Sequence, residues 1–145
     1  MLGYPADMPT VLRVSGPHGK LRHSILTTPF AFKESVATRH ARERGDDRYK
    51  GSSAFNFTIS DADGDHVAAQ IEETARFLSH STVALRALRT LDGVESIVVD
   101  VSWDVPTTSS GQYSRFPHAL LGLCGALAID LEVSVYLVDA QKNEI

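Results

Sequence analysis

Residues Val94 to Asp104 form the segment that most restricts what this chain can fold into. Ile97, Val99, Val101 and Trp103 fall on one side of the alternation, and Val98, Asp100, Ser102 and Asp104 on the other. Strand side chains alternate with a period of two, so the segment reads as a strand with one dry and one largely polar face. The same pattern returns three times. Leu131, Val133, Val135 and Leu137 alternate with Glu132, Ser134, Tyr136 and Val138; Phe55, Phe57 and Ile59 with Asn56, Thr58 and Ser60; Leu12 and Val14 with Arg13. Strands of a doubly wound parallel sheet are apolar on both faces, and these are not.

Helical periods separate the strands. Val67, Ile71, Ala75 and Leu78 share one stripe, entered through Asp61-Ala62-Asp63-Gly64-Asp65. Ser79-His80-Ser81-Thr82 interrupts it, because small hydroxyl residues compete for backbone hydrogen bonds. A second helix runs through Ala84, Leu88 and Leu91 to Asp92-Gly93, giving a helical pair over about Asp65 to Leu91. Ser114 is the expected N-cap of a last helix carrying Phe116, Leu120, Leu121 and Cys124 and ending near Ala128, with Pro117 in its first turn. Gly16-Pro17-His18-Gly19 reads as a turn, with Leu21 to Thr27 returning as a strand. Residues 28–52 form an irregular segment with a short helix expected over Phe32 to Arg44.

These elements predict one α+β domain over 1–145, with flexible termini at 1–9 and 140–145. The architecture is a two-layer sandwich, with helices on one face of a mixed or antiparallel sheet of about four to five strands. Phe55, Phe57, Trp103 and Val133 are its expected core.

Several chemistries are excluded by pattern. Longer apolar runs are broken by glycine and charge well short of a membrane span. The N-terminus lacks a basic-then-apolar leader, and a single cysteine, Cys124, fits a reducing cytoplasm. Asp61, Asp63, Asp65 and Glu72 match the spacing of calcium-loop ligands, but His66 stands where that loop needs glycine. The six histidines show no metal-binding spacing, so neither metal nor cofactor is expected. No nucleophile elbow or phosphate loop is present, and Cys124 lies among leucines that would quiet it. Residues 1–60 carry nine basic and five acidic side chains and residues 61–145 five and thirteen, for a net charge of −4. Without a clearly basic face, nucleic-acid binding is not expected.

Three surfaces are left, one of them the 28–52 segment, whose stretch 33–50 carries six basic and four acidic residues. The polar sheet face would present Arg13, Asn56, Thr58, Asp100, Asp104, Glu132 and Tyr136, mostly acidic and suited to a basic or polar partner. The loop before the last helix offers Ser109, Ser110, Gly111, Ser114 and Arg115, where free amides at a helix N-terminus would hold a small anion.

In the order TVLRVSG, TTPF, SAFNFTIS, HVAAQIEETARFL, ESIVVDVSW and YSRFPHALLGLCGALAIDLEVSVYLVD, the chain resembles a bacterial family of small α+β domains of unknown function. The likeness spans residues 10–138 and lies in the order of patterns. Some such domains are similar to immunity proteins of toxin systems, so the resemblance implies a cytoplasmic, non-enzymatic protein-binding module and carries over no catalytic residue. A small anionic-ligand domain is the alternative. Edge strands on a half-covered sheet also predict a homodimer.

Overall fold

The computed structural model describes residues 9–28, 42–45 and 52–139. The strands are β1 (Thr10–Pro17), β2 (Arg42–Gly45), β3 (Ser52–Ser60), β4 (Ser96–Pro106) and β5 (Asp130–Val138). The helices are α1 (His18–Thr27), α2 (Val67–His80), α3 (Thr82–Arg89) and α4 (His118–Ala126). The strands form one sheet in the order β2-β3-β1-β4-β5. All neighbours are antiparallel except β4 and β5, which run parallel with α4 in the crossover between them. The α+β sandwich with a mixed sheet is therefore as the alternation implies.

The dry faces of the strands meet the helices. Leu12, Val14, Phe55, Phe57, Ile97, Val99 and Val101 from the sheet pack with Leu21, Ile25, Ile71, Leu78, Leu85, Leu88 and Leu120 from the helical layer. The helical pair breaks at Ser81, which closes α2 through its N–H to the Phe77 carbonyl. Gly93 then turns the chain with φ +90°. That turn lies so close to β1 that a Cβ on Gly16 would stand 1.7 Å from the Gly93 carbonyl oxygen.

Three expectations need correcting. Residues 18–27 are helical, not a returning strand. Pro17 supplies a φ of −59° and no N–H, both suited to a helix entrance, and Leu21, Ser24 and Ile25 face inward at helical spacing. The helix expected over 32–44 lies largely outside the described residues, and its last positions belong to β2, with Arg42 opposite Asn56 of β3. Ser114 is not the cap of α4. The helix begins at His118 with Pro117 in the cap position, so Ser114 and Arg115 lie in the loop before it.

One side chain closes the layers. Gln70 of α2 is fully buried. Its amide nitrogen donates to the carbonyls of Ser102 (2.7 Å) and Asp63 (2.8 Å), and its Oε1 accepts from the Ser102 N–H (3.1 Å) and from the Thr10 hydroxyl. Both hydrogens and both lone-pair sites of the amide are used. The last β1–β4 pair is Val11 with Asp100, so the next partner along β1 for Ser102 is Pro9, which has no N–H to give. The Gln70 amide stands in for that missing peptide. Ser102 in turn donates its hydroxyl to the Pro9 carbonyl at 3.2 Å.

At the other end of the helical layer, α4 stops through a paired motif: Ile129 N–H to the Cys124 carbonyl and Ala128 N–H to the Gly125 carbonyl. Ala128 holds the left-handed residue of that motif at φ 56°. This stop sets where β5 starts.

Two measurements check these assignments. Gln70→Leu should cost about 4 kcal/mol, since it strands buried backbone groups, and lower Tm by roughly 10 °C. Ala128→Gly should stabilise by about 1 kcal/mol in denaturant unfolding, by removing a Cβ from left-handed backbone.

Candidate functional site

Arg13, Asp100 and Glu132, the charges expected on the polar face, come together across β1, β4 and β5. Arg13 donates to Asp100 at 2.6 Å and to Glu132 at 3.0 Å. Ser134 adds its hydroxyl to the Asp100 carboxylate, 2.7 and 2.9 Å from its two oxygens. Burial draws the Arg13 pKa down, but the hydrogen bonds and charges of Glu132 and Asp100 more than offset it, leaving the guanidinium above its ordinary value. Asp100 is 8% exposed and Thr58 5%, so neither is offered to solvent as a free polar group. The cluster is a three-strand clasp whose charges answer one another.

The other expected face residues do not join it. Asn56 sits opposite Arg13 on β3, with its side-chain oxygen covered and without a partner among the described residues. Asp104, at the far end of β4, has its carboxylate against Gly64, where a Cβ would approach within 2.5 Å. Tyr136 of β5 lies opposite Asp104.

The 105–115 surface also differs from its expected form. Ser109 and Gly111 bond to each other in a local turn, Ser109 Oγ donating to the Gly111 carbonyl and accepting from its N–H. Gln112 accepts the Trp103 indole N–H at 2.7 Å. An open groove of about 370 Å³ lies here, lined by Asp65, Val67, Ala68, Trp103, Tyr113 and Ser114 among others. Asp65 in its wall opposes an anion, and the helix N-terminus begins beyond it. Beside the groove, Asp63, Asp65 and His66 bring their ligand atoms within 4.8 Å of one another, all exposed, and His66 Nδ1 lies 3.0 Å from Asp65.

Cys124 is 4% exposed, and burial pushes its thiol pKa up. That shift favours the protonated form, opposite to what a reactive thiolate requires.

The surface that sequence reasoning missed is on β5. Val133, expected in the core, is 36% exposed, and Val135 and Leu137 are 55% and 71% exposed. Their side chains lie on the helix side of the sheet, in register with Val101, Trp103 and Val105. The reason is length. A nine-residue helix such as α4 spans ~13 Å, whereas a nine-residue strand such as β5 runs ~30 Å. The helix covers the start of β5 and leaves the rest. Leu121 of α4 is also exposed, at 47%. The late start of the helix at His118 was the signal to find, and the serine before it masked that signal.

Among the described residues, no helix is long and apolar enough to cross a membrane. No protein-family model, curated protein or solved structure matches the chain.

The clasp predicts a coupled stability effect. Arg13→Ala should cost about 2–3 kcal/mol, because it leaves the Asp100 carboxylate buried with only a hydroxyl for company. In a double-mutant cycle, adding Asp100→Asn should recover part of that loss, and strictly additive effects would show that the pair is not coupled.

Proposed function

We propose that this chain is a protein-binding module, not an enzyme, and that it binds through the edge and apolar row of β5. The exposed row Val133, Val135 and Leu137, on a strand with one neighbour among the described residues, is the observation that carries this reading. Contiguous apolar surface at a sheet edge marks a contact site, since an edge strand exposes both unpaired peptide groups and side chains for another chain to cover. The charged groups of the sheet face support the same reading by a different route. Arg13, Asp100 and Glu132 are occupied with each other, so they hold β5 in place and leave recognition to the edge.

The small-anion alternative has less support, because Ser114 and Arg115 precede the helix instead of opening it and Asp65 lines the groove. The immunity-like reading belongs to the same class as the proposal and is compatible with it.

The test is affinity capture with the full chain, followed by reconstitution with the identified partner. Val135→Lys combined with Leu137→Lys should weaken binding by at least ~30-fold, the scale of a central interface anchor, while Ser114→Ala with Arg115→Ala leaves it unchanged. Equal binding by the wild type and the lysine variant would sink the proposal.

A further inference from the structure

We infer that the chain covering β5 is a second copy of this protein, added antiparallel with its twofold axis through Ser134. The inference rests on the protein-binding reading above and names the partner. Three observations point the same way.

The first is the backbone. The Thr107 N–H donates to the Val138 carbonyl at 2.9 Å, and Val138 is in register with Pro106 of β4. Val138 therefore directs its carbonyl toward β4. Successive strand residues send their peptide groups to opposite sides, and the β4–β5 register runs unbroken from Asp130 to Val138. Leu131, Val133, Val135 and Leu137 thus present their N–H and C=O groups to the open edge. Antiparallel pairing requires two such residues to face each other. A twofold axis at Ser134 satisfies this, setting Val133 against Val135 of the second copy and Leu131 against its Leu137.

The second is the side chains. Around Ser134 the sequence reads L-E-V-S-V-Y-L, a palindrome except for Glu132 and Tyr136. With the axis there, every outward-bonded pair joins like apolar residues, and the whole of Asp130–Val138 overlaps its copy. Shifting the axis along the strand shortens the overlap and breaks the leucine-to-leucine match. The exposed rows of the two copies become continuous on the helix side. On the other face Glu132 meets Tyr136 and Ser134 meets Ser134, so no like charges stand directly opposite. A surface that matches itself about one axis is what a closed twofold dimer needs, whereas an unrelated partner would not require the symmetry.

The third is the lack of edge protection among the described residues. Edge strands that must stay single carry lysine, proline or a bulge. β5 contains no lysine or proline, its register with β4 has no shift, and Glu132, on its polar face, is paired with Arg13.

Sedimentation or light scattering on the full chain at high micromolar concentration should give twice the 15.8 kDa chain mass. The Val135→Lys, Leu137→Lys variant should give the monomer mass, with an unchanged circular dichroism spectrum and a cooperative thermal transition, at a Tm lowered by the lost association, confirming that it folds. Ser134→Cys reads the register. Across the axis the two positions lie ~4.5 Å apart at Cα, inside the range a disulfide spans, so mild oxidant should link the copies. Glu132→Cys should not link, since its copies lie ~14 Å apart along the strand. A wild-type monomer at all concentrations, or equal cross-linking at 132 and 134, overturns the inference. If the wild type is monomeric but Val135→Lys with Leu137→Lys still abolishes binding of another protein, self-pairing is wrong and the protein-binding reading stands. If partner binding also ignores those substitutions, both fall.

Discussion

The molecule depends on one carboxamide. A sheet whose central strand is preceded by a proline has a gap in its ladder at Ser102, and a gap buried under a helix is expensive. Gln70 fills it with a group of the same chemistry as the missing peptide, one acceptor oxygen and one donor nitrogen on a planar frame. The bond to the Asp63 carbonyl ties the same side chain to the loop that delivers α2. Helix position, strand end and loop path are thus set by a single residue. Apolar contact alone would let α2 slide, whereas a four-bond amide allows one placement.

From that anchor the order of the sheet explains where exposure ends up. β4 is fixed on one side by β1 and Gln70, and on the other it carries β5, an edge strand of the sheet. Arg13 reaches from the central strand across β4 to Glu132, while Ser134 reaches back to Asp100. These bonds hold β5 on the face away from the helices. On the helix side, short α4 leaves the row of β5 in water, so the strand is rigidly held and apolar at once. Such a strand presents a preformed surface, and less ordering entropy is lost when something covers it.

How much of this could be read in advance varied with the physics of each element. β3 and β4 carry clean alternation because one face is dry, the helical pair shows its stripe and its break for the same reason, and β5 alternates although most of its apolar row is exposed. α1 was misread because Leu21 and Ile25 are four apart, a spacing common to both periods, and the choice fell to Pro17 and to packing against β1. β2 reads Arg-Glu-Arg-Gly, with no apolar pattern to betray it. On the polar face Arg13, Asp100 and Glu132 were legible as sharing one side, but their pairing, one guanidinium with two carboxylates, depends on register. Gln70 was visible as a polar residue between Val67, Ile71 and Thr74 on the inward stripe, though its partners lie far off in the chain. Val133 had the pattern of a core residue, and only the extent of α4 decides otherwise.

The position of β1 has a consequence in time. It is made early and lies at the centre of the sheet, yet Arg13 and its partner Asp100 are separated by 87 residues. At a synthesis rate of roughly 5–20 residues per second, that interval is about 4–17 s. Until β4 arrives, β1 can pair only with β3, and Leu12 and Val14 have half a sheet beneath them. Contacts of such long range also slow refolding of the finished chain, because the loop must close before its pairing is rewarded. The strand that organises the finished sheet is therefore the one that waits longest for its neighbours.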